Sequence, residues 1–257
     1  MSAAFRYEFL MQVRKRSMWL ANGAIVLLLG LLSARSLGDV LDDPAAKATM
    51  ASTAVLVNLI LPVGYGCFLA DRLVRDDRLG VAAILDATPA SAAGRLAGKY
   101  LGSCAAAAVP LAIVYFGFAA LYAATAGRPV ALGWAAALFA VVILPAVLFV
   151  GAFALVVPLL IPAPLFRVLF VGYWFWGNAI SPAAMPTLAS SLVTPIGSYP
   201  LEVFFGVDLA GPEPGALFNF LRPEATAATA LLSIGVLLAL ATLVLSAAPA
   251  LRARITR

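Results

Sequence analysis

The chemistry open to this chain is limited first by an omission: its 257 residues include no histidine. That removes zinc sites of the usual kind, Ser-His and Cys-His nucleophile pairs and imidazole proton relays. The two cysteines, Cys67 and Cys104, both fall inside apolar runs, where a thiol reads as a small buried hydrophobe rather than a disulfide partner or metal ligand. No stretch fits G-x-x-x-x-G-K-[ST], and the one Gly-Lys pair, Gly98-Lys99, is followed by Tyr100. The chain therefore binds no ATP through a phosphate loop of its own. An intramembrane protease or lipid transferase would place carboxylate pairs or a nucleophile and its base inside the apolar runs, and none cluster there.

The surrounding composition explains these absences. Hydrophobic residues make up 63% of the chain, charged residues 11%, and the mean hydropathy is +1.02. That is too little charge to cover a water-soluble surface, so most of the chain must be solvated by lipid. A net charge of +5 would point to nucleic acid in a soluble protein. Here its placement has a different meaning, and no nucleic-acid partner is required.

Six apolar runs are long enough to cross the bilayer: Met18 to Leu37, Met50 to Ala70, Tyr100 to Ala126, Ala131 to Ile161, Leu165 to Met185 and Ala225 to Pro249. The first begins late, is about twenty residues long and precedes five more, which marks a true span rather than a cleaved signal peptide. Pro145 and Pro158 predict kinks in the fourth. One side of these spans collects thirteen Lys and Arg: Arg6, Arg14, Lys15, Arg16, Arg72, Arg75, Arg78, Arg95, Lys99, Arg167, Arg252, Arg254 and Arg257. The other has four, Arg35, Lys47, Arg128 and Arg222, against seven acids. Translocated loops are depleted in basic residues, so both termini are expected in the cytoplasm, which needs an even number of spans.

Three segments are not simple spans. Phe5 to Trp19 places Phe5, Phe9, Leu10 and Val13 on one helical face, the pattern of a helix lying in the interface over residues 1–17, or of a flank that only sets orientation. The connection over residues 71–99 opens with mixed charges, then presents Val81, Ile84, Leu85 and Thr88 at helical spacing before Pro89 stops the run and Ser91 caps the next helix. So short a helix gains stability by docking into a partner's groove; a solvated turn with an ordinary membrane-hugging helix is the alternative. Gly94, Gly98, Gly102 and Ala106 form a smooth stripe for close helix packing. Residues 186–224 carry apolar pieces, Leu188 to Val193, Tyr199 to Val207 and Ala216 to Leu221, each too short to cross. They are expected to be helical pieces that dip into the outer leaflet and return, or to form a small extracytoplasmic subdomain. Trp174 falls about 13 Å into the fifth span, too deep for an interfacial belt, so its aromatic cluster serves packing or a transported substrate.

Within these spans only Arg35 and Arg167 ionise, which weighs against a carrier driven by protons or sodium. Free energy must then come from outside the membrane. At this point the chain resembles the type-2 ABC exporter permeases, which share their fold with the G subfamily of ABC transporters. The resemblance rests on Phe5-Arg6-Tyr7-Glu8-Phe9-Leu10 followed by basic residues and Trp19. It rests also on Arg75-Asp76-Asp77-Arg78-Leu79-Gly80 running to Leu85, Thr88-Pro89 and Gly98-Lys99, with Asp76 or Asp77 where family members commonly have Glu. It implies an all-α polytopic protein of six transmembrane helices with an N-terminal interfacial helix, a cytoplasmic coupling helix and a re-entrant segment before the last span. One permease domain would occupy residues 1–257 of a multi-pass protein of the bacterial plasma (inner) membrane. Two such chains, alike or different, would pair over two cytoplasmic ATPases that hold ATP and Mg; this chain would hold no cofactor and catalyse nothing itself. Asp76, Asp77, Arg78, Gly80, Val81, Ile84, Leu85, Thr88 and Pro89 would meet the ATPase, and Asn58, Tyr65, Phe170, Tyr173, Trp174 and Asn178 would line the pathway. A secondary carrier or channel not driven by ATP is the alternative function.

Overall fold

The structure is a computed structural model that describes residues 2–33, 45–75 and 91–255. Every regular element among them is a helix: α1 Ser2–Val13, α2 Arg16–Ser33, α3 Ala46–Leu69, α4 Ala92–Thr125, α5 Val130–Leu159, α6 Ala163–Ala179, α7 Ser198–Phe205 and α8 Ala227–Ile255. Four of these, α3, α4, α5 and α8, are long and apolar enough to cross a membrane, and the chain is an all-α membrane protein. α6 has 17 residues and stops well before Met185, its expected end: Ile180 is already extended. Pro182 bars the helical region to Ser181, which prevents the helix from resuming there. The stretch expected to complete the first span beyond Ser33 lies outside the described residues, as does Arg35.

α5 is the spine of the bundle. In its most apolar stretch 67% of residues are buried inside the protein, against 22% for α8, which leaves Leu231, Leu232 and Leu243 of α8 facing outward. Each of the two prolines of α5 is accompanied by a local change of helix type. Residues Phe139–Ile143 widen into a π-turn ahead of Pro145, with the Leu144 N–H reaching back to the Phe139 carbonyl, and Val157–Leu159 tighten into a 3-10 turn around Pro158. Both devices re-route backbone hydrogen bonds that a proline cannot make.

The helix ends follow their sequence signals. Ser91, in extended backbone, accepts the Gly94 N–H at 3.1 Å and caps α4 as its sequence predicts. Gly197 and Gly206 bracket α7 with φ of 80° and 78°, the left-handed conformation that lets the chain enter and leave so short a helix. Of the three apolar pieces in residues 186–224, Tyr199 to Val207 becomes α7. Leu188 to Val193 instead forms turns, with Ser190 at φ 58°, and Ala216 to Leu221 ends in the single 3-10 turn Asn219–Leu221. Hydrophobicity alone does not make a helix of six residues.

Candidate functional site

Among the described residues, two buried polar junctions tie helices together, one just beyond the end of α3 and one at its middle. The first ties α1 to the bundle. α1 packs along α4, where a Cβ on Gly102 would stand 2.7 Å from the Phe5 carbonyl oxygen and 3.0 Å from Glu8 Cβ. The predicted small-residue stripe therefore receives a helix at backbone contact, and that helix is α1.

The face α1 turns inward is polar. Glu8 and Gln12 are buried, while Tyr7 and Leu10 are exposed and Phe5 and Phe9 half-buried. Glu8 Oε1 accepts from Arg72 Nε at 2.9 Å, Gln12 Nε2 at 3.0 Å and Ser103 Oγ at 3.3 Å, and Gln12 Nε2 also reaches Ser103 Oγ at 2.7 Å. Arg72 Nη2 lies 2.8 Å from the same carboxylate oxygen as an ion-pair contact, without hydrogen-bond geometry of its own. Side-chain exposures of 3% and 5% make this a fully desolvated pair. Beside it a second pair, Arg167 with Asp71, is far more open; Arg167 Nε also donates to the Cys67 carbonyl at 3.1 Å. Sequence reasoning placed Arg72 in a charge count and in the mixed-charge opening of the connection over residues 71–99, and missed Glu8 as an anchor. The available signal was that Glu8 is the single acid before Asp39 in a strongly basic stretch.

The second junction lies at mid-depth. Lys47 Nζ sits 5.3 Å above the Trp134 ring, so the starts of α3 and α5 lie at the same end of the bundle. Asn58 and Val142 each follow those helix starts by twelve residues, about 18 Å along the axis. There Asn58 Nδ2 reaches the carbonyls of Val142, in the π-turn, at 3.3 Å and of Pro195 and Ile196 at 3.4 Å. The non-helical turn around residues 194–197 thus reaches the middle of α3, where its carbonyls are covered by a neutral amide. Thr194 Oγ1 donates to Asn178 Oδ1 at 2.7 Å, and Trp174 Nε1 donates to the Leu59 carbonyl at 2.7 Å, in the turn of α3 that Pro62 disturbs. Further along the same loop Arg222, 1% exposed, pins Ala189 and Thr187 by their carbonyls at 3.0 and 2.6 Å. It was counted from the sequence as a loop cation; it is a buried clamp.

Each candidate pathway residue now has a place. Asn58, Tyr65, Phe170 and Trp174 are buried within the protomer. Phe166, Phe170 and Trp174 form one continuous ring face of α6 at centroid spacings of 5.6 and 5.7 Å, and a Cβ on Gly66 of α3 would run into the Phe170 ring. Tyr173 stands on the other face, 38% exposed beside Trp176, and Asn178 is half-buried. The structure brings Asn58, Trp174 and Asn178 to one junction and leaves Tyr173 outside it. Cys67 is half-buried and Cys104 buried, both unpaired thiols. Asp76, Asp77, Arg78, Gly80, Val81, Ile84, Leu85, Thr88 and Pro89 all lie outside the described residues. The sequence matches no protein-family model and no curated protein.

Proposed function

We propose that the chain is the transmembrane permease subunit of an ATP-driven ABC exporter, a six-span half-transporter whose membrane helices redirect work done by separate cytoplasmic ATPases. The observation that carries this reading is the buried anchor between Glu8 and Arg72. Arg72 sits in the turn that follows α3, four residues before the docking motif of Asp76 to Pro89 begins, and Ser103, which completes the anchor, lies three turns into α4, the helix to which that connection returns. A push on the loop between α3 and α4 is therefore delivered to α1, α3 and α4 together rather than lost in one mobile turn.

In this proposal both termini and the basic end are cytoplasmic, in a bacterial plasma membrane. Two permease chains, identical or different, pair above two ATPases that bind ATP and Mg. Closure of the ATPases rocks the paired bundles between inward- and outward-open states. The turn around residues 194–197 acts as a re-entrant element, since irregular backbone is tolerated at that depth only where protein covers it, as Asn58 does here. Tyr173, on the open face of α6, faces the pathway or the second chain, while Phe170 and Trp174 hold α6 against α3.

The deciding experiment is co-expression with the P-loop ATPase encoded nearest the chain, followed by purification of the complex. The wild-type chain is expected to retain the ATPase, and Ile84→Asp with Leu85→Asp to lose at least tenfold of it while still inserting. Sustained uphill transport by the purified chain alone, with no second protein, would overturn the reading.

A further inference from the structure

A cavity of about 280 Å³ opens at the basic end, lined by Lys15, Phe68, Asp71, Arg72, Arg75 and Arg167. Its charge is unbalanced. Arg72 is taken by Glu8 and Arg167 by Asp71, which leaves Lys15 and Arg75 with no carboxylate of their own among the described residues. The walls come from three separate parts of the chain: the junction between α1 and α2, the end of α3 and the start of α6. Within a few residues of Lys15 along the chain, Trp19 and Leu20 of α2 are exposed apolar side chains, and so, beside Arg167, are Leu165, Val168 and Leu169 of α6. A basic recess between helix ends, bordered by lipid-facing side chains, has the chemistry of a phospholipid site.

We propose that this cavity binds the phosphate of an anionic phospholipid from the leaflet at the basic end of the bundle, with Lys15 and Arg75 as its charge partners and the acyl chains lying along α2 and α6. Its volume admits a phosphate and part of the esterified head but not the chains, which must stay outside among the exposed leucines and valine. Phe68 supplies the one uncharged wall. Burial, and after it the neighbouring Arg72 and Arg75, hold the Lys15 ammonium below its ordinary value, an effect that Glu8 and Asp71 offset only in part. A phosphate diester, bearing one negative charge, relieves that crowding in a way a zwitterionic head, with its own cation, cannot. The bound lipid would brace the point where α1, α3 and α6 meet, next to the Glu8 and Arg72 anchor. The inference rests on the membrane placement of the chain and not on the transporter reading, so an ATPase that fails to assemble leaves it intact.

The test uses the full chain in mixed micelles of phosphatidylglycerol and phosphatidylcholine, with retained lipid counted by native mass spectrometry. The wild-type chain is expected to keep one phosphatidylglycerol in preference to phosphatidylcholine. Lys15→Gln with Arg75→Gln should reduce that preference about thirtyfold, at roughly fivefold per cation near the surface. Arg128→Gln, an exposed cation at the other end, should leave it unchanged. Should the double variant fail to fold, Lys15→Gln alone is expected to show the fivefold step. Retention that ignores these substitutions would overturn the proposal. Inorganic phosphate that displaces phosphatidylglycerol at equal concentration would assign the site to a soluble anion and overturn the lipid.

Discussion

The two polar junctions solve the same problem with different chemistry. At the basic end α1 is fastened by full charges, with a carboxylate taking three donors from Arg72, Gln12 and Ser103. At mid-depth α3, the π-turn and the 194–197 turn are fastened by a neutral amide on three carbonyls, with contacts of 3.3 to 3.4 Å. A charge placed at mid-depth would carry a desolvation cost that an amide avoids, whereas near the headgroups water and counter-charges are close enough for an ion pair to form before it is covered. The stronger fastening is thus placed where ionisation is cheapest, and the weaker, more exchangeable one where helices and a non-helical turn meet.

That contrast can be broken by substitution. The largest effect is expected from Glu8→Ala, which strands a buried guanidinium and should cost about 3–5 kcal/mol, read by SDS titration of the helical signal in one detergent. Pairing Glu8→Leu with Arg72→Met should recover most of that loss, because the penalty comes from the orphaned charge rather than from the missing bond. Asn58→Ala leaves the Val142, Pro195 and Ile196 carbonyls uncovered and should cost less, about 1–2 kcal/mol, given long contacts and a denatured state that finds partners within the membrane. An Asn58→Ala cost equal to that of Glu8→Ala would erase the distinction between the junctions. Asp71→Asn should have the smallest effect, below about 1 kcal/mol, since its pair with Arg167 is 43% and 39% exposed and solvent screens it. A loss as large as that of Glu8→Ala would mean that burial is not what separates these two neighbouring ion pairs.

How much of this could be read beforehand depended on the range of the interaction. Ser91 as a cap and the prolines that disturb α5 were legible because each acts through neighbours within one or two helical turns, and the smooth stripe through Gly102 and Ala106 because its four-residue spacing is local, although the helix it receives is not. The Glu8 and Arg72 pair spans 64 positions and the Asn58 contacts with Pro195 and Ile196 span 137 and 138, so no periodicity could reveal them. Leu188 to Val193 misled for a related reason: its apolar character was real, but a buried clamp from Arg222 holds that stretch as turns.

The amino-acid sequence by itself determined the solvent of this protein and the main lengths of its helices, since transfer into lipid depends on hydrophobicity summed along consecutive residues. It also determined that no histidine, phosphate loop or metal cluster of cysteines could do chemistry here. Only the tertiary structure decided which polar groups meet: that the inward face of α1 is a carboxylate and an amide, that a non-helical turn reaches the middle of α3, and that Lys15 and Arg75 share a cavity with no ion pair of their own among the described residues. Solvation adds up residue by residue, but a buried polar group is satisfied by one atom about 3 Å away, and packing alone chooses that atom.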